Sequence, residues 1–173
     1  VSDETISADD GLLIGGEGLG SMVGELLRRK GLTLSLAESC TGGLVAKLVT
    51  DVAGSSEYFL EGAITYADAA KVRVLGVSPA LLAEHGAVSS EMAMAMATGM
   101  RNNSGSDIAL AVTGIAGPGG GSAEKPVGTV FIALATAAGC RAQGYRFSGS
   151  RDEVRNITAF TAMDWLRRHL LSL

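Results

Sequence analysis

Ser39, Cys40 and Thr41 stand in a row between one carboxylate, Glu38, and paired glycines, Gly42 and Gly43. A hydroxyl or a thiol so placed is a candidate nucleophile. Upstream, Leu32, Leu34 and Leu36 alternate with Thr33 and Ser35, the period of a strand; downstream, Leu44, Val45, Leu48 and Val49 follow the period of a helix. Ser39 therefore belongs between the carboxyl end of a strand and the amino end of a helix. Unpaired amide N–H groups and the positive end of the helix dipole gather there, and they favour an oxyanion, a phosphate or any developing negative charge. Cys40 competes with Ser39, because its thiol is the more acidic group and is acidified further at a helix amino end. We rank the serine first. Glu38 reads as a charge satisfied by neighbouring amides, with orientation of a lysine or a water within its reach.

A serine nucleophile needs a base. The Ser39 motif lacks the surrounding glycines of a G-x-S-x-G elbow and the lysine of S-x-x-K. The two histidines, His85 in an expected turn and His169 beside Arg167 and Arg168, carry no triad motif and read as surface residues. That leaves four lysines. Lys30 closes a helix and complements its dipole, and Lys47 lies about a turn along the helix that follows Ser39, where it reads as a solvated charge. Lys71 and Lys125 remain as alternatives. A strand over Ala63, Ile64, Thr65 and Tyr66 brings Tyr66 and Lys71 beside Ser39, whereas Lys125 closes a glycine-rich loop. Either would need its pKa lowered from about 10.4 towards about 7–8, by burial or by a neighbouring cation. No His-x-x-x-His, Cys-x-x-Cys or paired-carboxylate cluster offers metal ligands, so no metal and no cofactor are expected.

Two glycine runs were weighed as anion sites. Gly15 to Gly20 contains no G-x-G-x-x-G spacing and reads as a linker or cap. Thr113 to Ser122 lacks the Walker A lysine, yet its glycines let backbone N–H groups approach a phosphate closely, and an anion site is the favoured reading. Arg151 and Arg155 open the last helix, at the end where the dipole disfavours cations. An anionic ligand near Arg151 and pairing with Asp152 or Glu153 explain it equally well.

The elements that must position these residues alternate. Helices are expected over Gly18–Lys30, after Gly43, over Asp68–Leu75, Pro79–Glu84, Ser89–Asn102 and Arg151–Leu171. Strands are expected before Glu38, at Ala63–Tyr66, Ile108–Val112, Val127–Thr136 and, as an edge, Gln143–Phe147. Such alternation predicts an α/β fold, a layered α/β/α domain with a central mixed or mostly parallel sheet. Met92, Met96 and Met100 form a core stripe, and two apolar stripes on the last helix, Val154, Ile157, Thr161 and Trp165 against Met163, Leu166 and Leu170, suggest a homo-oligomer. With 173 residues, 47% hydrophobic, the chain suffices for one core. The net charge of -4 supplies no basic field for nucleic acid. The apolar run Val127 to Ala138 is too short and too interrupted to span a membrane. Two cysteines, Cys40 and Cys140, match no metal spacing and point to a reducing, cytoplasmic setting. Residues 1–17 read as a linker or tail from a longer protein, and 18–173 as the domain.

Several ordered motifs, Glu38-Ser39-Cys40-Thr41-Gly42-Gly43, Thr65-Tyr66 with Lys71, His85-Gly86-Ala87-Val88-Ser89, Gly114-Ile115-Ala116-Gly117-Pro118, Lys125-Pro126-Val127-Gly128-Thr129 and Gly149-Ser150-Arg151, together resemble the CinA C-terminal domain family. The resemblance runs from about Met22 to the end. It implies a nicotinamide-nucleotide amidohydrolase that converts nicotinamide mononucleotide and water to nicotinate mononucleotide and ammonia, in bacterial pyridine nucleotide recycling. It implies Ser39 as nucleophile, Lys71 and Tyr66 as proton relay, an oxyanion or carboxamide site at Glu38, Thr41, Gly42 and Gly43, and a phosphate or nucleotide site at Thr113, Gly114, Ala116, Gly117 and Arg151. It also implies a molybdopterin-binding-like domain ahead of this one in longer members. The alternative is a non-catalytic interaction module of a competence or damage-inducible protein.

Overall fold

The computed structural model describes residues 16–173, so all but the last two residues of the expected linker or tail over residues 1–17 lie outside the described residues. The elements run α1 (Gly16–Lys30), β1 (Leu34–Glu38), α2 (Leu44–Thr50), a 3-10 turn (Ser55–Glu57), β2 (Phe59–Ile64), α3 (Asp68–Leu75), α4 (Pro79–His85) and α5 (Ser90–Ser104). They continue with β3 (Ile108–Gly114), β4 (Thr129–Thr136), β5 (Gly139–Arg146) and α6 (Arg151–Ser172). The fold is α/β. One five-stranded mixed sheet has the order β2-β1-β3-β4-β5, with β1 parallel to both β2 and β3, and β4 and β5 added antiparallel.

The strands alternate large and small apolar residues, and helices cover both faces. Leu34, Leu36, Ile108, Leu110, Val112, Ile132 and Leu134 face α1, α2 and α6 in one core. Ala37, Ala109, Ala111, Ala133 and Ala135 face α5 in the other, where Met92, Met96 and Met100 are fully buried. The Leu/Thr/Ser alternation ahead of Glu38 thus marks no wet face, because all of β1 is buried. Ser35 is accommodated there by a hydrogen bond between its hydroxyl and that of Ser106 at 2.7 Å.

Three expectations change. From Gly16 on, the first glycine run is not a linker but the opening of α1; a Cβ at Gly20 would meet the Leu48 carbonyl at 2.5 Å, so the glycine lets α1 approach α2. Strand β2 starts earlier than the apolar run suggests and ends at Ile64, which leaves Thr65 and Tyr66 beyond it. On α6, Val154, Met163, Leu166 and Leu170 join one broad buried face, and Ile157 and Trp165 pack against the same core. Both stripes of the helix thus serve one core, with Ile157 and Trp165 only partly buried at its edge. Its start is set by a capping box, with Ser150 accepting from the Glu153 amide and Glu153 accepting from the Ser150 amide.

Candidate active site

Parallel pairing brings the ends of three strands to one rim. Glu38 is in register with Ile64 on β2 and with Val112 on β3, and the ladder extends past the strands through Thr65 N–H to Glu38 O at 2.8 Å and Ser39 N–H to Val112 O at 3.0 Å. Ser39, Thr65-Tyr66 and Thr113-Gly114 consequently emerge side by side. They open onto a cleft of about 260 Å³ lined by Ser39, Cys40, Tyr66, Asp68, Lys71, Ala87, Val88, residues 113–117, Gly119, Gly120 and Arg151.

Lys71 lies in the first turns of α3, only 1% exposed. Its Nζ donates to the Ser39 hydroxyl at 3.4 Å, to the carbonyls of Thr65 at 3.0 Å and Tyr66 at 3.3 Å, and meets Asp68 Oδ1 at 3.4 Å. A serine hydroxyl in contact with a buried amine is the arrangement that nucleophilic catalysis requires. Lys125 points elsewhere: its Nζ donates to the His85 carbonyl at 2.8 Å and ties the glycine loop to the end of α4. Lys47 pairs with Asp51. His85 lies against Glu84 and Glu91, and His169 against Arg141, so neither histidine lines the cleft. Cys40 is buried, and that burial pushes its thiol up to about 12, only partly offset by the adjacent amides and Arg155. A thiol held protonated is a poor nucleophile.

The turn after Ser39 is organised differently from expectation. Oε2 of Glu38 accepts from the amides of Gly43 and Val45, at 3.0 and 3.2 Å, and Oε1 accepts from Ala46 at 2.8 Å. Gly42 N–H closes onto Ser39 O at 3.1 Å. The amides that would have received an oxyanion at the start of α2 are thus already spent, and Glu38, Thr41, Gly42 and Gly43 do not line the cleft. Gly42 and Gly43 are required by backbone shape, with φ of +60° and +100°. The amides of Cys40 and Thr41 donate to no oxygen among the described residues and are directed at the Cys40 sulfur.

Across the cleft, the loop after β3 leaves the amides of Ala116, Gly117, Gly119 and Gly120 without an acceptor among the described residues. Gly117 and Gly120 take positive φ, +84° and +85°. Thr113 lines the cleft, but its hydroxyl is occupied by the Ala87 carbonyl at 2.6 Å. Gly114 has Thr129 O and Val130 against the place of a Cβ, so it serves the close pairing of β3 with β4. Arg151 pairs with neither Asp152 nor Glu153: Nη1 donates to Gly117 O at 2.8 Å and Nη2 to the Tyr66 hydroxyl at 2.7 Å. Tyr66, 57% exposed, therefore joins the arginine across the mouth, and its hydroxyl bonds neither Ser39 nor Lys71. Asp68 was not singled out in the sequence, although its i, i+3 spacing to Lys71 at the head of a helix is a readable signal. Arg155, read only as a misplaced cation, grips the Cys40 and Thr41 carbonyls at 3.2 and 2.9 Å.

Comparison with known proteins agrees with this architecture. The model of the CinA C-terminal domain matches residues 17–170. A CinA-like protein of Geobacter sulfurreducens is 66% identical over 150 residues, 87% of this chain, and one of Geotalea uraniireducens is 65% identical over 158 residues, 91% of it. The chain spans only 36% and 38% of the length of those two relatives. Among solved structures, a CinA superfamily protein from Klebsiella pneumoniae superposes with a TM-score of 0.89 at 35% identity, covering 92% of this chain and 99% of that one. The competence/damage inducible protein CihA from Agrobacterium tumefaciens gives 0.85 at 44% identity, with 87% and 93% covered. Among the described residues, no helix is long and apolar enough to cross a membrane.

Proposed function

The chain belongs to the CinA C-terminal domain family, and from that membership together with the cleft we propose that it hydrolyses the carboxamide of nicotinamide mononucleotide to nicotinate mononucleotide and ammonia. The observation that carries the reading is the contact between the Ser39 hydroxyl and the buried Lys71 amine. Lys71, in its unprotonated form, takes the hydroxyl proton as Ser39 Oγ attacks the carboxamide carbon. The amide of Cys40, which lines the cleft beside Ser39, steadies the oxyanion of the tetrahedral intermediate. The lysine then returns the proton to the nitrogen, the C–N bond breaks, and ammonia leaves an acyl-serine. Water, deprotonated by the same lysine, attacks the ester and releases the acid.

The substrate's phosphate belongs opposite, on the free amides of the glycine loop, with Arg151 as its cation. Tyr66 is better assigned to this side than to a proton relay, since its hydroxyl is held by Arg151. The test is direct: purified protein is incubated with nicotinamide mononucleotide, and ammonia and nicotinate mononucleotide are quantified. Equal release of both supports the reading. Folded protein that releases neither overturns it in favour of a non-catalytic module.

A further inference from the structure

Two charged side chains grip the Ser39 turn from outside the cleft. Glu38, 2% exposed, has both carboxylate oxygens committed to the amides of Gly43, Val45 and Ala46. No ion pair reaches it among the described residues, so N–H dipoles alone balance its buried charge. Arg155 comes from α6 and holds two consecutive carbonyls, through Nε to Cys40 and Nη2 to Thr41. Its Nη1 lies 3.7 Å from the solvent-facing Asp152 carboxylate. The Thr41 hydroxyl, buried with no partner among the described residues, contributes no anchor of its own.

A peptide unit is planar, so fixing one of its polar atoms restricts the whole plane. The unit joining residues 39 and 40 is held by Gly42 N–H on Ser39 O. The units joining 40 to 41 and 41 to 42 are held by Arg155, and the unit joining 42 to 43 by Glu38. Every plane from Ser39 to Gly43 is thereby pinned. A Cβ at Gly42 would sit 3.3 Å from the Arg155 guanidinium, which shows how closely the clamp is applied.

We propose that Glu38 and Arg155 are positioning residues, which lock this turn so that the Ser39 hydroxyl stays on Lys71 and the Cys40 and Thr41 amides keep one direction. The inference rests on Ser39 being the nucleophile. It explains why a carboxylate is needed at position 38: a glutamine would set an NH2 against an amide N–H. It also gives the arginine at 155 its use, because the rigid guanidinium fork reaches the two carbonyls through separate nitrogens, Nε and Nη2.

The experiment measures Ser39 sulfonylation by an arylsulfonyl fluoride, followed by intact mass, beside kcat and KM on nicotinamide mononucleotide. Glu38→Gln and Arg155→Met are expected to slow both labelling and kcat by about 10- to 100-fold, with KM within about twofold and the fold retained. Arg155→Lys should fall between them and the unaltered protein. Labelling at the unaltered rate in folded variants, or a loss confined to KM, overturns the positioning role. If Glu38→Gln does not fold, Arg155→Lys decides the matter alone. Failure of the unaltered protein to label at Ser39 removes the nucleophile and this inference together. Labelling without turnover of the mononucleotide removes only the substrate.

Discussion

The turn after β1 and the loop after β3 both carry glycines at positive φ and both stand at the rim of the sheet, yet they use their backbones in opposite ways. The first directs its amides at Glu38 and gives its carbonyls to Arg155, so it is closed upon itself. The second leaves the amides of Ala116, Gly117, Gly119 and Gly120 without acceptors among the described residues and receives an arginine at its edge. Glycine content alone does not separate a rigid mount from a loop whose amides stay free, the proposed cradle. What separates them is whether a charged side chain of the same fold has already taken the N–H groups.

The sharpest way to break the comparison is at the chemistry itself. Ser39→Ala and Lys71→Ala should each lower kcat on nicotinamide mononucleotide by at least about 1,000-fold, while Lys125→Ala, which loses only a tie to α4, should cost less than about tenfold. Equal losses for the two lysines, in steady-state assays, would dissolve the distinction. Next in size, Arg151→Ala should raise KM by about 10- to 100-fold with kcat changed little, as befits the loss of a charged contact to an anion. A fall in kcat alone would place the arginine with the mount rather than the cradle. Gly42→Ala should destabilise the protein by about 1–3 kcal/mol in urea unfolding, because an alanine must adopt φ +60° beside Arg155. Gly120→Ala, whose Cβ would meet only Ile115 Cγ2 at an ordinary contact distance of 3.7 Å, should cost nearer 1 kcal/mol.

The smallest effect concerns Cys40. Its thiol, raised to about 12 from 9.0, stays protonated in the folded protein and ionises first in the unfolded chain. Stability should accordingly fall as pH rises above about 9, by up to about 1.4 kcal/mol per pH unit, and Cys40→Ala should flatten that slope. At neutral pH the same variant should keep most of its activity, and iodoacetamide should leave Cys40 unmodified. Rapid alkylation of Cys40 would restore it as a rival nucleophile.

Much of this was legible in the residues. The alternation of Leu and Val runs with glycine punctuation located α3 and the strand ends, and the expected strand at Ala63 placed Lys71 beside Ser39 even though β2 ends at Ile64. The choice between Lys71 and Lys125 was not legible, because either could reach Ser39 only through tertiary pairing, and Lys125 is turned to His85 instead. Glu38 was legible as a charge satisfied by neighbouring amides, but that these are the amides of Gly43, Val45 and Ala46 at the start of α2 is a side-chain geometry that no spacing encodes. That both stripes of α6 pack on one core was hidden for a related reason: periodicity reports an apolar face, not how wide a single core extends around the helix. Tyr66 shows the same limit, its neighbour Lys71 being local and its partner Arg151 lying 85 residues away.

Of the four oxygens that meet the Lys71 amine, two are the carbonyls of Thr65 and Tyr66. A carbonyl persists under every substitution. Half of the lysine's inner solvation therefore belongs to the route of the chain between β2 and α3, not to the identity of any residue along it. Mutational scanning of positions 65 and 66 samples everything except the atoms that matter there. That part of the site responds only to changes in connection length, so one inserted residue between Ile64 and Asp68 would disturb it more than any point mutation in the segment.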